Sequence, residues 1–167
     1  MVTLEYIVPG LQALDAAYND AASDDDAERF AKLAIIELCG WIEESMDALV
    51  LRCAKRRLEV ARNLKICEKD IIARTYGFDY DKHFRAMLIR LVGLITVERL
   101  ENQVDQAKHI TMKSTLGSLR VVRDSVAHTH LKGTTRRLDA PSHAIRSFRL
   151  VYDGLFDLDE TMRRAGW

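Results

Sequence analysis

The stretch Leu116–His130, LGSLRVVRDSVAHTH, carries its apolar residues at helical spacing. With each residue advancing about 100° around the axis, Leu116, Leu119, Val122 and Val126 form one stripe, a face for a core. Gly117, Val121, Asp124 and His128 fall together roughly opposite it, with Arg120 beside them and Arg123 at the edge of the core stripe. A small residue and a Val set among Arg, Asp and His make this a second face suited to packing and to chemistry. Arg123 and His128 stand about 140° apart on the wheel and about 7.5 Å apart along the axis, poorly placed to meet within one helix. Two copies crossing at a two-fold axis would bring each Arg toward the other copy's His, with Gly117 and Val121 permitting close approach.

Outward from this helix the chain reads as helical throughout. Leu11, Leu14 and Tyr18 predict a short helix over about 10–22. Ser23-Asp24-Asp25-Asp26 can cap the next and longest helix, which runs from Ala27 to about Arg62 with Phe30, Leu33, Ala34, Leu38, Trp41, Ile42, Ser45 and Leu49 on one stripe. A short helix over 67–76, closed at Gly77, and an amphipathic one over Lys82–Leu100 follow. The helix carrying Arg123 starts between Gln106 and Lys113 and ends near Lys132-Gly133, and a final helix covers about 142–164 after the Leu138–Ser142 turn. Nothing alternates with period two for long. The spacing predicts an all-α helical bundle of about five to six helices, one domain over 1–167, with one long helix after the N-terminal helix and the key stretch on the penultimate one.

Composition narrows the function classes. The longest apolar runs are interrupted by Glu37 and Arg90, short of the roughly 20 residues that span a bilayer. No basic-apolar leader opens the chain, so a cytoplasmic location without a membrane partner is expected. Cys39, Cys53 and Cys67 lie 14 apart, a spacing that suits neither C-x-x-C metal ligation nor an even disulfide framework. The absence of a G-x-x-x-x-G-K-[ST] loop disfavours a self-contained nucleoside triphosphatase.

Zero net charge conceals a polarity: residues 1–50 carry 11 acidic and 2 basic side chains, and residues 106–149 carry 2 acidic and 9 basic ones. Two readings follow. The basic segment either attracts a phosphate backbone, or it lies against the acidic helix and is neutralised internally. The cluster holding Arg56 and Arg57 near the end of the long helix is open in the same way, as an RNA-phosphate contact or as a solvated complement to the helix dipole.

Arg123-Asp124-Ser125-Val126-Ala127-His128 resembles the R-x4-H signature of HEPN (higher eukaryote and prokaryote nucleotide-binding) domains, with a polar residue after the Arg and a small residue before the His. The likeness extends over most of the chain through the helix order, and is nearest the group associated with RNA-repair and conflict systems. It implies a metal-independent endoribonuclease of toxin or phage-defence type, needing no cofactor, with an active site shared across a homodimer. Arg123 and His128 are the catalytic pair it implies. Asp124, Glu43, Glu44 and His130 are supporting candidates, with the acidic pair orienting Arg123, and Arg120, Arg56 and Arg57 are candidate RNA contacts. An antitoxin or an associated repair or defence protein is an implied partner. Several toxin-type relatives carry H-x-Y where this chain has His128-Thr129-His130, which leaves regulation through that Tyr without its residue.

Two further R-x-H pairs, Arg137 and Arg136 with His143, span Pro141, where no packed helix would hold them. A metal site built on His128 and His130 with His109 or His143 would require extended backbone, because residues two apart on a helix diverge by about 200°. The alternative to an enzyme is a catalytically silent module of the same fold that binds RNA or protein.

Overall fold

The computed structural model describes residues 4–127 and 138–167 of the 167. Seven α-helices account for most of these residues: α1 Ile7–Asn19, α2 Asp24–Arg57, α3 Ala61–Ile66, α4 Arg85–Val92, α5 Leu94–Glu101, α6 Gln106–Ala127 and α7 Pro141–Arg164. Two π-helical segments, Cys67–Ile72 and Tyr80–Phe84, continue α3 and lead into α4. No strand occurs among the described residues. The protein is an all-α bundle with the long helix second and Arg123 on the penultimate helix, as the periodicity predicts.

Side-chain caps set the starts of the two helices that matter most for the site. Ser23 caps α2: its hydroxyl oxygen accepts from the Asp26 N–H at 3.2 Å and its hydroxyl donates to the Asp26 carboxylate at 2.8 Å. Three aspartates in the first turn and Lys55, Arg56 and Arg57 in the last complement the helix dipole. Asp105 likewise caps α6, its Oδ1 accepting from the N–H groups of Ala107 and Lys108 at 2.9 and 3.1 Å.

Several boundaries differ from expectation: α2 already begins at Asp24, and in place of a helix over 67–76 the short α3 runs into the π-helical Cys67–Ile72. α1 starts at Ile7, because Pro9 falls in the first turn, where its missing N–H would have no intrahelical acceptor anyway. α2 ends at Arg57, where Leu58 turns extended. The helix expected over Lys82–Leu100 is divided at Gly93, whose φ of +85° only glycine adopts readily, so the chain re-enters as a separate α5. That division and the short α3 raise the helix number above five to six.

The core forms one cluster around α2, whose Ala34, Leu38, Ile42, Met46, Leu49 and Val50 are essentially sealed from solvent. α1 adds Ile7 and Leu11; α6 adds Met112, Leu116 and Leu119; α7 adds Phe148, Val151, Leu155 and Leu158. Trp41 of α2 meets Phe148 of α7 edge-on at 4.9 Å. Arg52 donates to the buried Asp159 carboxylate at 3.1 Å, tying α2 to α7 through a charged pair. Among the described residues no helix is long and apolar enough to cross a membrane.

α6 and α7 approach each other closely at Gly154, where an added Cβ would lie 2.5 Å from the Met112 Cβ. Gly154→Ala therefore overpacks this contact and is expected to destabilise the fold by about 1–3 kcal/mol, read as a lower urea midpoint. Gly117 lies on the open side of α6, with nothing among the described residues within 4 Å of its Cβ position. Gly117→Ala should match or exceed the parent's stability, since alanine is the better helix former.

Candidate functional site

α6 presents three surfaces. Met112, Leu116, Leu119 and Val126 are buried, and Val122 packs half-buried against the core. The opposite face runs through Ile110, Ser114, Gly117, Val121 and Asp124, with both Ile110 and Val121 64% exposed. Two apolar side chains on an open stripe with a glycine between them leave a face without a neighbour among the described residues.

Between these two surfaces lies a basic flank formed by Lys113, Arg120 and Arg123, and each of these cations meets a carboxylate from another element. Lys113 Nζ lies 2.9 Å from Asp81, Arg120 Nη1 3.9 Å from Asp79, and Arg123 Nη2 3.7 Å from Glu43 Oε1. The flank is thus neutralised within the chain, but mostly not by the acidic helix that the charge polarity suggested. Only Arg123 draws its partner from the acidic long helix.

Arg123 is half-exposed and held from two sides. Its Nη1 donates to the adjacent Asp124 carboxylate at 3.3 Å, while the Glu43 contact is longer than a hydrogen bond and acts through charge attraction. Glu43 Oε1 is itself enclosed without a hydrogen-bond donor among the described residues. The carboxylate beside Arg123 is therefore Glu43, and Glu44 is exposed. One turn earlier on α2, Cys39 is buried; burial pushes its thiol up to about 12, against the opposing pull of Arg123 and with added upward pushes from Glu43 and Asp124. A thiol so protonated is a packing group and not a nucleophile.

The remaining candidates are distributed differently. His128 and His130 lie outside the described residues. Arg120 faces Asp79, whose carboxyl is held below its ordinary range by the Lys82 backbone N–H, with Arg120, His83 and Lys82 adding to that effect against burial. Arg56 and Arg57 sit about 20 Å along α2 from Glu43. Their guanidinium groups donate to the backbone carbonyls of Trp167 and, at 3.3 Å, Ala165, fastening the segment after α7. His143 lies 3.8 Å from Asp139 in an exposed pair at the start of α7. Among the described residues no group of three or more His, Cys, Asp or Glu side chains could hold a metal ion.

Two features escaped the sequence reading. Asp47, one turn after Glu43, belongs to the acidic edge of the site; burial first, then Glu44 and Glu43, push its carboxyl up to about 6. The other is a polar cleft at the start of α6, where His109 is buried among groups from three other segments. No spacing signals it, because its members share no periodicity.

Asp47 generates a pH dependence. Its folded-state affinity for a proton exceeds that of the unfolded chain, so the fold loses stability as the pH rises from about 4 through about 6. Asp47→Asn should flatten that loss and stabilise the protein by about 1 kcal/mol at neutral pH, a value reduced for solvent screening at a half-buried position. Thermal melting across that pH range checks both.

Compared with family models, with curated proteins and with solved structures, the chain matches none.

Proposed function

We propose that the chain is a metal-independent endoribonuclease of the HEPN type, acting as a toxin or defence effector, with Arg123 and His128 as its catalytic pair and its active site shared across a homodimer. The observation that carries this reading is the placement of Arg123. It stands half-exposed on α6, steadied by Asp124 and Glu43, beside the open face of Gly117 and Val121. A guanidinium held at the surface by carboxylates retains free N–H donors for a phosphate, and the unpartnered face beside it offers a second copy a seat.

RNA brings its own nucleophile, the 2′-hydroxyl next to each phosphodiester. Cleavage needs a proton acceptor for that hydroxyl, a donor for the departing 5′-oxygen, and compensation for charge building on the phosphorus oxygens. His128 suits the proton transfers because imidazole titrates near working pH. Arg123 suits the charge compensation, its planar fork meeting two phosphate oxygens at once. The products are a 2′,3′-cyclic phosphate and a 5′-hydroxyl end. Arg120, one turn from Arg123, extends the phosphate contact, and an antitoxin or an associated repair or defence protein is the partner that would restrain the activity.

The pairing of Lys113, Arg120 and Arg123 with carboxylates favours a second reading, a catalytically silent module of the same fold that binds RNA or protein. RNA cleavage separates the two. Arg123→Ala and His128→Ala should each reduce cleavage, by roughly 10²- to 10⁴-fold for the His, with helicity retained. Arg123→Lys should restore only part of the rate, since an ammonium lacks the bidentate fork. Undiminished cleavage in either alanine variant removes the assignment, and absence of cleavage in the parent favours the silent module.

The shared site predicts its own results. Light scattering should give a dimer, and Gly117→Leu should shift it toward monomer without unfolding the helix. In a mixture of Arg123→Ala and His128→Ala protomers, one of the two composite sites keeps both residues, and activity should recover. Because side chains fill the acid–base and charge-compensating roles, cleavage should also withstand EDTA; loss with EDTA and return with a divalent ion would indicate metal-assisted hydrolysis instead.

A further inference from the structure

About 20 Å along α6 from Arg123, the surface of the bundle carries an open cleft of about 750 Å³ whose lining includes Asp81, Arg85, Glu101, His109, Ile110 and Lys113. This volume falls in the range of small-molecule sites. Part of the lining is saturated: Glu101 accepts from Arg85 Nε and Nη2 at 2.8 and 3.1 Å and from the Tyr80 hydroxyl at 3.1 Å. Those three groups brace one another and form a fixed wall.

The rest of the lining is not saturated. Lys113 Nζ stands 5.0 Å over the Tyr80 ring and 2.9 Å from Asp81, and this pair is the more open one, with side-chain exposures of 36% and 59%. His109 is nine-tenths buried and meets Tyr80 edge-on at 4.6 Å, its Nδ1 enclosed without a hydrogen-bond partner among the described residues. Burial first, and Lys113 next, hold the His109 pKa below its ordinary value, against Glu101, Asp81 and Asp157.

Two carboxylates and two cations make the cleft electrically balanced, and this balance selects among ligands. With Arg85 and Glu101 satisfying each other, a phosphate dianion drawn to Lys113 would leave Asp81 without its counter-charge, and a simple amine drawn to Asp81 would leave Lys113 without its own. A molecule carrying one ammonium and one carboxylate preserves the balance. An exposed pair such as Lys113–Asp81 contributes little by itself, so opening it costs little, and each partner gains a new counter-charge from the ligand. Ile110 adds an exposed apolar surface at the rim.

We infer that this cleft binds a small zwitterion of the α-amino acid class, with its carboxylate on Lys113 beside His109, its ammonium on Asp81 and its side chain against Ile110. The site is separate from Arg123 and does not depend on ribonuclease activity. A carboxylate at Lys113 offsets the cation that disfavours the imidazolium, so occupancy raises the affinity of His109 for a proton.

The test is an NMR titration of the full chain, following the His109 ring proton, assigned by its loss in His109→Gln. The probes are L-leucine, glycine, acetate, methylammonium and inorganic phosphate. L-leucine should saturate the site at a concentration roughly tenfold or more below acetate or methylammonium and move the His109 titration to higher pH. Lys113→Met and Asp81→Asn should each weaken it by roughly tenfold or more, and Ile110→Ser should weaken leucine more than glycine. Thermal melting of each variant establishes that it is folded. Acetate or phosphate binding as tightly as L-leucine would overturn the assignment in favour of a simple anion site. No saturation by either amino acid, or unchanged affinity in folded Lys113→Met and Asp81→Asn, would overturn it outright.

Discussion

Burial of one continuous face of α2 is the interaction on which the rest of the structure depends. Leu38, Ile42, Met46 and Leu49 are removed almost completely from water, each a contribution of about 1.5–3 kcal/mol before the entropy of ordering is subtracted. α1, α6 and α7 all pack on this helix, so the direction of α2 sets theirs. The position of Arg123 follows from that constraint: Leu116, Leu119 and Val126 must face the core, and the helical repeat then leaves Arg123 at the margin where Glu43 waits on α2.

Charge in this bundle is arranged at margins and seldom in the interior. Arg52 with Asp159 is the deep exception, a pair whose desolvation costs much of its Coulombic gain and whose clearer effect is to fix how α2 and α7 align. Elsewhere Lys113, Arg120 and Arg123 of α6 reach carboxylates in the Asp79–Asp81 stretch and on α2, so a sequence split into acidic and basic halves becomes a locally balanced surface. Any polyanion approaching this flank competes with carboxylates already in place, which limits non-specific attraction.

The proposed nuclease reading and the inferred amino-acid site occupy opposite ends of one helix, and the same helix serves both because its faces have different neighbours. Near Arg123 the flank meets α2; near His109 it meets the Tyr80–Phe84 segment, α4 and α5. π-helical turns commonly occur where side chains must be re-aimed for a purpose other than regular packing. Here one aims Tyr80 inward, so that its ring lies under Lys113 and against His109 while its hydroxyl reaches Glu101.

Helix order, the all-α class, the cap at Ser23 and the core stripe of α6 were legible in the sequence, because each depends on interactions within a few residues or on a 3.6-residue repeat. The place of Arg123 at the edge of the core stripe was also legible, from its position on that repeat. The break at Gly93 was not, since a glycine inside an apolar repeat reads as tolerated until its φ of +85° is seen. Nor could spacing distinguish Glu43 from Glu44 as the neighbour of Arg123, show that Arg56 and Arg57 hold backbone carbonyls near Trp167, or assemble the cleft around His109. Those outcomes were decided by tertiary structure alone, because a charge or an imidazole finds its partner through space, across segments whose separation in the chain carries no period.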